Sequence, residues 1–119
     1  MPEHVREFLI ALGVADQKHS GRTFIEHLEG TYQLLKEHGE TIALAGALHS
    51  IYGTQFYKPR NIPAREQVKA LVGDEAEWLA YLFCTLPRGR YSGVDPDTAH
   101  ALNLIREANT REQLAFKGK

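Results

Sequence analysis

Cysteine is almost absent from this chain, which has one, Cys84, among its 119 residues. A single thiol excludes an intramolecular disulfide, and therefore the class of small secreted domains that disulfides hold together. The N-terminal residues start acidic and lack the basic-then-apolar order of a secretion signal. No apolar run approaches the roughly 20 residues that a membrane span needs. We therefore expect a soluble, cytoplasmic protein with no membrane partner.

An excess of either charge is also absent, because the formal net charge is −1 with the histidines neutral. This balance argues against a nucleic acid or an anionic membrane as the main partner and leaves a small molecule as the expected ligand. The composition is that of a globular protein, with 43% hydrophobic and 24% charged residues. A chain of this length can bury a core and fold alone, so we expect a single domain over residues 1–119.

Strand-like alternation of apolar and polar residues is missing too, and every periodic segment follows a helical repeat. The predicted helices begin near residues 2, 23, 41, 63, 74 and 95. Thr23 and Glu26 form the capping-box pattern at the start of the second helix. The predicted fold class is all-α.

One apolar stretch is predicted to be the centre of the fold. From Ile42 to Leu48 seven successive residues carry no polar side chain, and a helix that is apolar on every side must be buried on every side. We expect this helix to close at Gly53. Polar residues follow the apolar run directly and need partners, because an unpaired buried polar group costs about 1–3 kcal/mol; they are His49, Ser50, Tyr52 and Thr54.

Two of the six histidines, His27 and His49, lie in apolar surroundings on neighbouring predicted helices. Neutral imidazole is a common metal ligand, so a metal site between these helices is one interpretation. The other is that both are core histidines that hydrogen-bond to the backbone or to each other. No HxxxH or CxxC pattern decides between them.

Basic residues cluster in two predicted loops, with Arg88 and Arg90 in one and Lys58 and Arg60 in the other. Guanidinium groups bind anionic ligands well, so Arg88 and Arg90 are candidate ligand-binding residues. The alternative is that these charges are simply solvated. Cys84 follows an apolar helix face and is most simply a small core residue.

Four segments, in order, resemble the alarmone hydrolases of the Rel/Spo type within the HD superfamily. The segment from Ser20 to Leu28 is similar to S-G-x-P-Y-I-x-H-P, and the segment from Ala45 to Thr54 is similar to A-x-L-L-H-D-x-x-E-D-T. Leu71 to Leu79 resembles F-G-x-E-V-x-x-L-V, and Leu104 to Thr110 resembles A-D-x-x-x-N. The resemblance implies a compact HD-like helical bundle.

In that superfamily two histidines, the HD aspartate and a late aspartate hold a divalent metal that activates water. The resemblance implies His27, His49 and Asn109 as ligands of Mn, Fe or Zn. Ser50 replaces the HD aspartate, and Gly53 and Thr54 replace the catalytic Glu-Asp pair. The altered pattern H-S-x-Y-G-T is similar to that of a small HD-like family.

Three hypotheses follow for the function of the chain. The first is metal-dependent hydrolysis or oxidation of a small anionic, phosphate-bearing substrate, with Ser50, Tyr52 and Thr54 as candidate catalytic residues. Tyr52, Arg88 and Arg90 would then bind the ligand. The second is a non-catalytic module that binds a small ligand or nucleotide at a degenerate HD site. The third is a structural domain whose polar groups satisfy one another.

Overall fold

The computed structural model describes residues 1–14, 18–19, 22–54 and 58–117. The described part of the chain contains six α-helices: α1 (Glu3–Ala11), α2 (Phe24–Leu35), α3 (Glu40–Ala47), α4 (Arg65–Val72), α5 (Asp74–Thr85) and α6 (Pro96–Lys117). A short antiparallel pairing of β1 (Lys18–His19) with β2 (Arg22–Thr23) precedes α2. The prediction of an all-α fold is confirmed.

Local sequence signals set several helix boundaries. Both the backbone N–H and the hydroxyl of Thr23 donate to Glu26 Oε1, so the predicted capping residues lie at the start of α2. At the start of α6 the Asp95 carboxylate accepts hydrogen bonds from the backbone and side chain of Thr98. These bonds hold the pKa of Asp95 below its usual value.

The central helix is shorter than the sequence predicts. α3 ends at Ala47 rather than at Gly53, and the chain continues to Gly53 in successive turns closed by hydrogen bonds between residues three positions apart. His49 N–H donates to Gly46 O and Gly53 N–H donates to Ser50 O within these turns. The polar residues after the apolar run therefore lie on a tight turn rather than on one helical face.

α3 packs closely against α2 because it carries small residues. Ala43, Ala45 and Ala47 are fully buried. A Cβ atom at Gly46 would collide with Leu35 Cδ1 of α2, so glycine permits the close approach of the two helices at this position. The prediction that this stretch is central and buried on every side agrees with the structure at Ala43 and from Ala45 to Leu48, whereas Ile42 and Leu44 are only partly buried.

The buried apolar side chains of the described residues form two clusters. One joins the second half of α2 to α3, α5 and α6, with Phe83, Leu102 and Ile105 almost fully buried. The other joins α1 to the first half of α2, the turn after α3, and α4. α6 therefore lies across α2, α3 and α5, and this placement brings its second half to the predicted histidines.

Candidate functional site

His27 lies at the contact of α2 with α6 and is 1% exposed. Its Nδ1 lies 2.6 Å from Glu112 Oε1, and its Nε2 lies 2.7 Å from Asn109 Oδ1. Both ring nitrogens are therefore engaged by polar side chains of α6. Sequence interpretation missed Glu112, although it lies three residues after Asn109 and hence on the same side of the helix.

Glu112 approaches α2 because residue 30 has no side chain. A Cβ at Gly30 would lie 2.8 Å from Glu112 Cδ and closer still to one carboxylate oxygen. The Glu112 carboxylate occupies this space next to His27, and the Glu112 side chain is 12% exposed. Gly30 and Glu112 together therefore place the acidic partner of His27.

His49 lies beside His27, with ring centroids 5.3 Å apart and the rings nearly perpendicular. Its Nδ1 lies 2.6 Å from Gly46 O, and its ring meets Phe83 edge-to-face at 5.7 Å. His27 thus contacts both His49 and Asn109, while their role as metal ligands stays a prediction.

A divalent metal does not fit these donors as they are arranged. A metal about 2.1 Å from both His27 Nε2 and Asn109 Oδ1 would hold the two atoms roughly 3.0–3.4 Å apart. They lie 2.7 Å apart, so Asn109 occupies the position that a metal would need. Among the described residues no group of three or more His, Cys, Asp or Glu side chains is placed to hold a metal ion. The metal site stays a prediction that requires Asn109 to withdraw.

The three candidate catalytic residues lie in three different environments. Ser50, 5% exposed, borders a narrow apolar crevice beside α1 together with Leu9 and Leu12. The Tyr52 hydroxyl donates to Glu77 Oε2 at 2.7 Å. Thr54 lines a cavity near the end of α5.

Tyr52 belongs to a buried ionic cluster that sequence interpretation missed. Glu77 is fully buried and accepts two hydrogen bonds from the Arg65 guanidinium, at 2.8 and 2.9 Å, in addition to that from Tyr52. The Arg65 guanidinium also lies 3.8 Å from the centre of the Tyr81 ring. Burial and the bond to Glu77 raise the pKa of Tyr52 well above its usual value. Tyr52 therefore connects the turn after α3 to α4 and α5.

The cavity beside Thr54 has a volume of about 280 Å³. It is lined by Thr54, Phe83, Cys84, Thr85, Leu86, Pro87 and Arg88. Phe83 connects the cavity to His49, because the Arg88 guanidinium lies 4.5 Å from the centre of the Phe83 ring and the His49 ring contacts the same ring. The Cys84 thiol donates to His49 O at 3.3 Å.

Arg88 and Arg90 differ although they lie in one loop. Arg88 is half-buried at the cavity, and burial lowers the pKa of its guanidinium from the usual value. Arg90 is exposed and is not among the cavity-lining residues, and Lys58 and Arg60 are exposed as well. Burial raises the pKa of Cys84 to about 11, so this thiol is neutral at pH 7 and is a poor nucleophile.

Residues 8–88 match the family model described as a domain of unknown function, DUF6817. The chain belongs to the DUF6817 family. The matched segment includes His27, His49 and the cavity residues from Thr54 to Arg88, whereas Asn109 and Glu112 lie beyond it. Neither a protein of curated function nor a solved structure matches this DUF6817 chain.

Proposed function

We propose that this protein is a binding module for a small anionic ligand, which enters the cavity between Thr54 and Arg88. The observation that carries the proposal is the half-buried guanidinium of Arg88 at a cavity of about 280 Å³. Ligand sites are typically concave and mostly apolar, with a few polar groups that fix the ligand. This cavity has an apolar wall at Phe83 and Leu86 and a cation at one end.

The charge of Arg88 supports an anion rather than a neutral ligand. Guanidinium groups stay protonated at neutral pH even when burial lowers their pKa, and a partly desolvated cation attracts an anion more strongly than a solvated one. The position of the guanidinium over the Phe83 ring limits its motion, so less entropy is lost on binding.

The neighbouring polar groups favour binding over nucleophilic chemistry. The Cys84 thiol already donates to His49 O, and the Thr85 hydroxyl donates to Tyr81 O at 2.9 Å. Metal-dependent hydrolysis at His27, His49 and Asn109 stays a prediction, because the hydrogen bond between His27 and Asn109 would have to open first.

Two single substitutions in one loop test the proposal. Arg88→Ala should abolish or weaken by at least ten-fold the binding of inorganic phosphate measured by calorimetry, because a charge-assisted hydrogen bond contributes about 1.5–3 kcal/mol. Arg90→Ala removes the same charge at an exposed position and should leave the dissociation constant within about two-fold, after correction for ionic strength.

Equal weakening by the two substitutions would mean that the loop acts through its net charge, and the cavity would not be the site. The thermal midpoint of each variant should be measured without ligand, so that a folding defect in Arg88→Ala is recognised. Arg88→Lys provides a further comparison, because it keeps the charge and removes the planar fork.

A further inference from the structure

Tyr91 carries a buried polar atom that the described residues leave without a partner. It is 5% exposed and belongs to the core cluster that contains Phe83. Among the residues that the structure describes, its hydroxyl is buried without any hydrogen-bond partner. Most buried polar side-chain atoms in proteins are hydrogen-bonded, so an orphaned hydroxyl calls for a specific explanation.

Tyr91 follows Arg88, the last of the cavity-lining residues, by three positions. A turn in which Arg90 N–H donates to Pro87 O carries the chain from the cavity to Tyr91. Burial lowers the pKa of Arg88, and the Tyr91 phenol opposes this shift. Leu86, which lines the cavity, packs against the cluster that contains Tyr91.

A second guanidinium approaches the same loop. A Cβ atom added at Gly89 would lie 3.9 Å from Arg106 Cζ, so the Arg106 side chain of α6 packs against Gly89, the residue after Arg88. Two hydrogen bonds to Asn103 Oδ1, from Nε and Nη2, orient the Arg106 side chain. Its charge lowers the pKa of Arg88 further, after the larger effect of burial. Two neighbouring guanidiniums favour a ligand that carries more than one negative charge.

We infer that Tyr91 is a further ligand-binding residue, whose hydroxyl donates a hydrogen bond to a doubly charged oxyanion held by Arg88, with Arg106 adding the second positive charge. A phosphate monoester or inorganic phosphate has this chemistry, since it offers several acceptor oxygens around one centre. The inference rests on the proposed binding of an anion at Arg88. It explains why a hydroxyl is kept at a core position that phenylalanine could fill.

The test uses Tyr91→Phe, which removes the hydroxyl alone, with inorganic phosphate as the probe. The dissociation constant for phosphate, measured by calorimetry at constant ionic strength, should rise roughly ten-fold or more, because the lost hydrogen bond involves a charged acceptor. Without phosphate the thermal midpoint should stay the same or rise, because no internal hydrogen bond is lost.

Tyr32→Phe is the matched control. Tyr32 is equally buried, but its hydroxyl donates to the Glu40 carboxylate at 2.7 Å. This control should lower the thermal midpoint and leave phosphate binding unchanged. Sulfate, the second dianion probe, should bind to the wild type at least ten-fold more tightly than acetate at the same ionic strength.

The outcomes distinguish a failure of the role inferred for Tyr91 from a failure of the proposed anion binding at Arg88. If Arg88→Ala loses phosphate binding and Tyr91→Phe keeps it, the role of Tyr91 is overturned while the proposed function stands. If Arg88→Ala binds phosphate as the wild type does, the proposed function itself fails. Acetate binding as tight as sulfate binding would overturn the assignment of a doubly charged ligand.

Discussion

Glu77 shows how a single buried charge is accommodated in this protein. Burial alone would raise the pKa of this carboxyl group, but hydrogen bonds from Arg65 and Tyr52 outweigh it and hold the pKa below its usual value. The carboxylate is therefore ionised at neutral pH although it is fully buried. Loss of Arg65 would be costly because the buried carboxylate would lose its charged partner, whereas Arg65 is 37% exposed and would keep water if Glu77 were lost.

The depressed pKa of Glu77 predicts how stability depends on pH. Because the folded pKa is lower than the unfolded one, the ionised carboxylate stabilises the fold above about pH 4.5, and this contribution is lost as the pH falls through the folded pKa. Glu77→Gln should lower the free energy of unfolding by about 1–3 kcal/mol at pH 7. In urea titrations the difference from the wild type should shrink between pH 5 and pH 3.

Glu75→Gln is the control for this prediction, because Glu75 is exposed on the same helix. It should change the stability little at either pH. Stability curves of the wild type and Glu77→Gln that stay parallel from pH 7 to pH 3 would contradict a depressed pKa at Glu77.

At the scale of the helices, two glycines determine how closely α2 meets its neighbours. Gly46 of α3 admits a buried leucine side chain of α2, whereas Gly30 of α2 admits the Glu112 carboxylate of α6. Neither position has a backbone conformation that requires glycine. Space alone therefore explains why both helices contain glycine, which weakens an isolated helix by about 1 kcal/mol relative to alanine.

Alanine at these positions should destabilise the protein despite its better helix propensity. Gly46→Ala should cost about 1–3 kcal/mol, because the added methyl group meets Leu35, which is fully buried and has little room to move. Gly30→Ala should cost less, because the end of the Glu112 side chain can swing away, although it then leaves His27. The order of the two losses can be measured by urea unfolding. A Gly46→Ala variant more stable than the wild type would contradict the close approach of α2 and α3.

At the scale of the whole molecule, the position of α6 determines which side chains surround His27, one of the predicted metal ligands. Its side chains Asn109 and Glu112 reach across to α2 and engage both nitrogens of His27. His27 is thus joined to α6 by hydrogen bonds, whereas His49 bonds to Gly46 O of α3. The cavity lies near the end of α5, where Phe83 lines it and also contacts His49. Within the described residues no helix has the length and apolarity to cross a membrane.

The hydrogen bond between His27 and Asn109 predicts how the thermal midpoint changes when a divalent metal is added. A ten-fold molar excess of Mn²⁺ should leave the thermal midpoint of the wild type unchanged, because Asn109 holds the nitrogen that a metal would bind. Binding to the folded state would instead raise the midpoint. A rise that His27→Ala abolishes would show that Asn109 withdraws, and it would favour metal-dependent hydrolysis over the binding module.

Part of this fold is determined by signals that are local in the sequence. Thr23 and Glu26 are close enough in the chain to form their capping contact in any helix that starts there, and Asp95 and Thr98 do the same for α6. The apolar run through Ala43 and Ala47 could only be buried. The end of α3 was not predictable in this way, because the turns after Ala47 depend on what His49 and Tyr52 contact.

Local patterns in the sequence account for the approximate starts of the helices, for the central apolar stretch and for the candidate histidines, because periodicity, caps and apolar runs act over a few residues. Which polar groups meet depends on tertiary packing. Glu112 contacts His27 although the two residues are 85 positions apart in the sequence, and packing of α4 on α5 brings Arg65 to Glu77. Packing of the described residues likewise left the buried hydroxyl of Tyr91 without a hydrogen-bond partner. Such contacts depend on how whole helices pack, and no short pattern in the chain encodes them.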